Sequence, residues 1–261
     1  IFVLLEVKDL NISLTSEKSV AEHISFRLGQ GEMLSIVGSS GAGKTTICKA
    51  IMGLLGNAYR ADGEILFQGE DLLDLPERKR QTIYGKEICL IMQNPMTAFN
   101  PSIRVGRQME KTYLLHHGKT PRQEMQRLFA AILQKLGLED TQRILNSYPF
   151  TLSGGMLQRL MIAAALMCQP ALLVADEATT AIDACNRIGL MRELKSFCKD
   201  GMSVLFVTHD LRSASVSDRI LVMDRGQIVE QGKTEQILNT PKEDYTCLLY
   251  TSPSPRDRSL S

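Results

Sequence analysis

The apolar positions of this chain keep different periods in different stretches. Residues 5–10 and 20–28 alternate apolar and polar side chains, the period of a half-buried strand, and predict an antiparallel strand group at the N-terminus. Residues 33–37 (MLSIV), 87–93 (EICLIMQ), 171–177 (ALLVADE) and 202–207 (MSVLFV) are instead short, nearly continuous apolar runs, which predict buried strands. A turn signal at Asp62 and Gly63 precedes a further strand towards Gly69, and residues 220–229 predict a hairpin around Asp224, Arg225 and Gly226. Helical spacing marks residues 46–55, and a charged amphipathic segment at 76–84 predicts a short surface helix. Between residues 105 and 146 strand-sized runs give way to helical periodicity, with Leu128, Ile132, Leu133 and Leu136 on one face. A helix opening near Ser153 runs to Cys168 and is nearly all apolar after Arg159, so burial on most sides is expected. Residues 183–197 follow as a helix with Leu190, Met191, Leu194 and Phe197 inward. The pattern is that of an α/β chain carrying a helical insertion.

One strand-to-helix junction carries chemistry. Gly38, Ser39, Ser40, Gly41, Ala42, Gly43, Lys44 and Thr45 fit the phosphate-binding loop pattern G-x-x-x-x-G-K-[ST], between an apolar strand and a helix. Three glycines let successive backbone N–H groups turn inward, and the new helix adds its positive end, which together make a nest for phosphate oxygens. Lys44 is placed to reach β- and γ-phosphates, and the Thr45 hydroxyl is a hard oxygen ligand for magnesium. The run 171–177 ends in two carboxylates that complete such a site, Asp176 to hold the ion and Glu177 to orient and polarise an attacking water. Ser153 is an N-cap whose following glycines, Gly154 and Gly155, expose N–H groups at a helix N-terminus. His209 emerges at the C-terminal end of a strand, the edge where open parallel sheets bind ligands. His23, inside an alternating strand with no second ligand nearby, reads as a strand histidine. The adjacent His116 and His117 read as a surface helix end, since neighbours on a helix do not share a face.

Composition narrows the partners. The chain of 261 residues has 30 Lys and Arg against 29 Asp and Glu, a net charge of +1, which leaves no electrostatic footprint for nucleic acid. Six cysteines, without a C-x-x-C or a nearby Cys/His cluster, read as small core residues in a reducing compartment. No apolar run approaches the ~20 residues of a spanning helix, and residues 1–5 are too short for a signal segment, so any membrane role is expected through partners. Residues 250–261 are rich in Pro, Ser and charge and lack periodicity; they are expected to be a disordered or non-native tail.

Taken in order, these motifs resemble the ATP-binding subunits of ATP-binding-cassette (ABC) transporters, over residues 4–249. In that family's terms, residues 38–45 look like the Walker A loop and Gln93 like the Q-loop glutamine. Residues 152–158 look like the signature, 172–177 like the Walker B strand, 180–183 like the D-loop and His209 like the switch histidine. Residues 91–101 and 148–159 look like the nickel and peptide importer group, closest to its nickel-import member. Three positions depart: Met156 stands for the usual signature glutamine, Ala178 for the proline after Glu177, and Leu14 lies where an aromatic normally stacks on adenine.

The resemblance implies a P-loop NTPase (RecA-like) core at 1–93 and 160–235, with an N-terminal antiparallel subdomain. It also implies an inserted helical subdomain at about 94–159 and a C-terminal extension at 236–249. It implies ATP and Mg²⁺ as cofactors. ATP contacts would come from Gly38 through Thr46, from Gln93, and from Ser153, Gly154, Gly155 and Asp183; Thr45, Gln93 and Asp176 would hold the metal. Glu177, His209 and Lys44 would be catalytic. The expected assembly is a nucleotide-sandwich dimer with a second, paralogous ATPase chain, bound to two transmembrane permeases at the cytoplasmic face of the membrane and served by a periplasmic or extracellular binding protein. The expected activity is ATP hydrolysis driving uptake of nickel or a nickel chelate, with dipeptide or oligopeptide import as the alternative and a soluble non-transport cassette ATPase as a remoter one.

Overall fold

The computed structural model describes residues 2–177 and 184–251. The D-loop stretch with Asp183, the Ala178 departure and residues 252–261 of the expected tail lie outside them. Its first elements are β1 (Val3–Leu14), β2 (Ser19–Gly29), β3 (Met33–Val37), α1 (Lys44–Ile51), β4 (Tyr59–Phe67), β5 (Glu70–Asp71), α2 (Glu77–Ile83) and β6 (Ile88–Ile91). A helical block follows, with α3 (Val105–His117), α4 (Arg122–Lys135), α5 (Thr141–Asn146) and α6 (Gly154–Leu166). The chain then returns through β7 (Leu172–Asp176), α7 (Ala184–Cys198), β8 (Ser203–Thr208), α8 (Leu211–Ala214), β9 (Arg219–Asp224), β10 (Gln227–Lys233), α9 (Thr234–Asn239) and α10 (Asp244–Thr251). Helix α10 thus extends two residues into the segment expected to be structureless.

Strands pair in the orders β2-β1-β4-β5 and β10-β9-β3-β8-β7-β6. The first sheet is antiparallel. In the second, β9 through β6 run parallel and only β10 is antiparallel, at one edge. The continuous apolar runs explain this placement, because alternate residues face two different apolar layers. Leu172, Val174, Leu205 and Val207 pack towards α1 and the antiparallel sheet. Leu173, Ala175, Val204 and Phe206 pack towards the helical block and α7. In α4 the buried positions are Met125, Phe129, Ile132 and Leu133, with Leu128 only half-buried.

The turn expected at Asp62 and Gly63 lies inside β4, which runs unbroken from Tyr59 to Phe67. The glycine serves a bulge: β1 shifts register between Lys8 and Asn11, and a Cβ on Gly63 (φ +109) would sit 2.5 Å from Asp9 O. Asp9 (φ 46) and His23 (φ 51) take left-handed conformations beside it. His23 is an exposed strand residue, its Nδ1 2.7 Å from Asp9 Oδ1. His117 ends α3 and stacks on Tyr113. Cys48, Cys89, Cys168 and Cys198 are buried as expected of core residues, whereas Cys247 is exposed on α10. Among the described residues no helix is long and apolar enough to cross a membrane.

Candidate functional site

Five buried residues of β3 deliver the chain to the C-terminal edge of the parallel sheet, where the glycine-rich loop begins. Gly38 is required there by close approach, since a Cβ would stand 2.2 Å from Met223 O on β9. Helix α1 opens at Lys44 with Gly43 as its cap at φ 95, a left-handed conformation that a side chain resists. Lys44 is buried and its Nζ donates to Gly38 O at 2.8 Å and Ser39 O at 2.7 Å. Burial lowers its pKa, and the nearby Glu177 and Asp176 carboxylates partly restore it. Thr45 Oγ1 donates to Asp176 Oδ1 at 3.2 Å across the α1–β7 gap. Burial raises the Asp176 carboxyl, offset in part by that hydrogen bond. A carboxylate held out of water beside a hydroxyl is an oxygen pair that a hard divalent cation would stabilise.

Three further candidates meet because β6, β7 and β8 are neighbours in the sheet and each ends at the same edge. Gln93 follows β6, Glu177 follows β7 and His209 follows β8. Gln93 Nε2 donates to Glu177 Oε2 at 2.8 Å, and His209 Nδ1 lies 3.0 Å from Glu177 Oε1. The Glu177 backbone N–H donates to Val207 O at 2.9 Å while its φ is 49. A glutamate in that region costs roughly 1–2 kcal/mol. The bend turns the carboxylate between two partners at 84 and 32 residues' separation. With an acceptor-only carboxylate in the middle, Nδ1 of His209 is the protonated nitrogen.

The signature candidates stand apart. Ser153 Oγ accepts from the Met156 N–H at 3.3 Å, capping α6 as expected, and Ser153 and Gly154 are exposed. Helix α6 belongs to the apolar layer on the opposite face of the sheet from α1. Among the described residues no hydrogen bond joins Ser153, Gly154 or Gly155 to the glycine-rich loop. Leu14 lies opposite Tyr59 in the β1–β4 register, and both are half-buried. Two contacts at this edge had no signal in the sequence. Asp210 Oδ2 pairs with Arg187 Nη1 at 3.0 Å, and Tyr245 of α10 accepts the Ser39 N–H at 3.0 Å through its phenolic oxygen.

The family pattern described as ABC transporter matches residues 21–180. The chain is 39% identical over 252 residues to the metal-staphylopine import system ATP-binding protein of Staphylococcus aureus, spanning 95% of this chain and 93% of that one. It is 41% identical over 256 residues to the oligopeptide transport ATP-binding protein of Bacillus subtilis, spanning 95% of this chain and 71% of that one. A dimeric ATP-binding cassette in a post-hydrolysis state with ADP and Pi superposes with a TM-score of 0.77 at 26% identity, covering 88% of this chain and 98% of that one.

Proposed function

The chain belongs to the ABC transporter family as an importer ATPase that binds ATP, and on that premise we propose that its cargo is nickel or a nickel chelate. The observation that carries the catalytic part is the meeting of Gln93, Glu177 and His209 beside the Thr45–Asp176 pair. Lys44 and the N–H groups between Gly38 and Thr46, apart from the Ser39 N–H that Tyr245 accepts, bind the phosphates. Thr45, Asp176 and the Gln93 amide oxygen would hold Mg²⁺, which would supply positive charge to offset that of the phosphates. Glu177 orients and polarises the attacking water, while Gln93 and His209 hold its carboxylate in place.

The separation of Ser153–Gly155 from the loop supports a sandwich in which each signature closes over the other subunit's nucleotide. The related cassette is described as dimeric. The second subunit is a paralogous ATPase chain, so this chain purified alone hydrolyses slowly and co-expression raises its rate. Two transmembrane permeases at the cytoplasmic face and an external binding protein complete the importer. Asp183 of the D-loop takes part in the same sandwich.

A metal-chelate importer among the relatives favours the nickel reading, and an oligopeptide importer favours peptides as a second one. Deleting the gene separates them. Lower cellular nickel and nickel-enzyme activity, both restored by added nickel salt, support the first reading. Lost growth on a dipeptide with nickel uptake intact overturns it in favour of the second.

A further inference from the structure

We infer that Tyr245, on the C-terminal helix α10, is a positioning residue for nucleotide binding that acts through the Gly38–Ser39 peptide on Lys44. The inference rests on the reading of Lys44 as the phosphate-binding lysine. The phenolic oxygen of Tyr245 accepts the Ser39 N–H at 3.0 Å, across 206 residues of sequence. The carbonyl of that same peptide group, Gly38 O, accepts from Lys44 Nζ at 2.8 Å. One peptide plane is therefore held at both ends, its N–H by α10 and its oxygen by the lysine. The trans peptide is rigid, so fixing the N–H fixes the direction of the carbonyl, and each hydrogen bond polarises the group towards the other. Lys44 has three N–H donors, and two are aimed at Gly38 O and Ser39 O. The remaining one is directed only as well as those carbonyls are.

The support is itself anchored. Glu230 of β10 accepts from Lys242 N–H at 2.9 Å, Glu243 N–H at 3.3 Å and the Thr246 hydroxyl at 2.6 Å. Those hydrogen bonds outweigh the upward pull of burial and hold the Glu230 carboxyl below its ordinary range. Thr246 is fully buried. Tyr245 and Leu249 pack on the cluster that contains Val37, the last strand residue before the loop. Helix α10 thus braces both the strand that enters the loop and the loop's first peptide.

The test compares Tyr245→Phe, Tyr245→Ala and Lys44→Ala in the full chain with wild type, measuring the Kd for Mg-ATP by titration and the Tm by thermal denaturation. Phenylalanine keeps the ring packing and removes only the acceptor. It is expected to raise Kd about three- to tenfold with Tm nearly unchanged. Alanine is expected to raise Kd at least as much and to lower Tm as well. If affinity instead follows stability, with the phenylalanine variant neutral in both measurements and the alanine variant impaired in both, Tyr245 is only a packing residue and the inference is overturned. Lys44→Ala separates the two levels. Lost binding in Lys44→Ala together with an unchanged Kd in Tyr245→Phe would sink the inference and leave the reading of the loop standing. Wild-type affinity in Lys44→Ala would sink both.

Discussion

Replacing Glu177 by glutamine removes one acceptor from a carboxylate that serves two partners. In the wild type both oxygens accept, one from Gln93 Nε2 at 2.8 Å and one facing His209 Nδ1 at 3.0 Å. An amide has one oxygen and one NH₂, so it keeps the Gln93 contact with its oxygen and turns its nitrogen to the histidine. That contact survives only if His209 moves its proton to Nε2, so that Nδ1 accepts. The tautomer change and the loss of one charge-assisted hydrogen bond should cost about 1–2 kcal/mol of fold stability. Catalysis should suffer far more, because an amide cannot draw a proton from water. Loss of a positioned general base lowers rates about 10²–10⁴-fold, equivalent to roughly 2.7–5.4 kcal/mol of barrier. The assay, on this chain co-expressed with its paralogous partner, is steady-state phosphate release at saturating ATP, beside nucleotide binding and size-exclusion chromatography. The expected result is near-normal ATP binding, accumulation of an ATP-bound dimer and at least a hundredfold loss of turnover. Turnover within about threefold of wild type would remove Glu177 from the chemistry.

Gly43→Ala should impair both fold and binding: at φ 95 its new Cβ would lie 2.7 Å from Val20 O, and the conformation alone costs about 1–2 kcal/mol, so a Tm lower by ~4 °C or more is expected in thermal denaturation. An unchanged Tm would mean that the loop relaxes freely. Asp210→Asn tests the other edge of the site. Burial by itself would raise the Asp210 carboxyl, but hydrogen bonds from Ser213, the Arg212 N–H and Arg187 prevail and hold it below its ordinary 3.8. A depressed folded-state pKa contributes stability above the unfolded value that is lost as pH falls through the folded one, so the variant should be about 1–3 kcal/mol less stable at pH 7 and the gap should close below pH ~4. A gap that persists in acid would assign the effect to shape alone. Leu14→Tyr is expected to tighten ATP binding up to about tenfold and sharpen the preference for ATP over GTP. If wild type already prefers ATP strongly and gains nothing, Tyr59, which stands opposite Leu14, is the residue to examine.

What could be read from the sequence was whatever is local. The four continuous apolar runs became strands with ends within two residues of those expected, because runs as short as MLSIV or ALLVA are too short for a helix and suit burial on both faces of a strand. The Ser153 cap formed where its side-chain chemistry put it. What could not be read depends on strand order. Nothing in residues 87–93, 171–177 and 202–209 says that their strands are neighbours, and the Glu177 contacts exist only because they are. Asp62 and Gly63 carried a real signal for unusual backbone, but a turn and a bulge need the same glycine, and only the partner strand decides between them. Tyr245 sits in a stretch with weak periodicity, and its contact with Ser39 bridges nearly the whole chain.

That span has a consequence for how the molecule is made. Strand β3 has two partners in its sheet, β8 beginning at Ser203 and β9 beginning at Arg219, both encoded near the far end of the chain. The antiparallel sheet, by contrast, closes within residues 3–71. During synthesis the first sheet can form early, while the phosphate loop waits as the end of an unpaired apolar strand until β8 and β9 have emerged. Competence to hold nucleotide is then acquired late and all at once. A nascent chain arrested before Ser203 should already resist proteolysis over its N-terminal strands and yet hold no ATP, which makes nucleotide capture a timer for the completion of the central sheet.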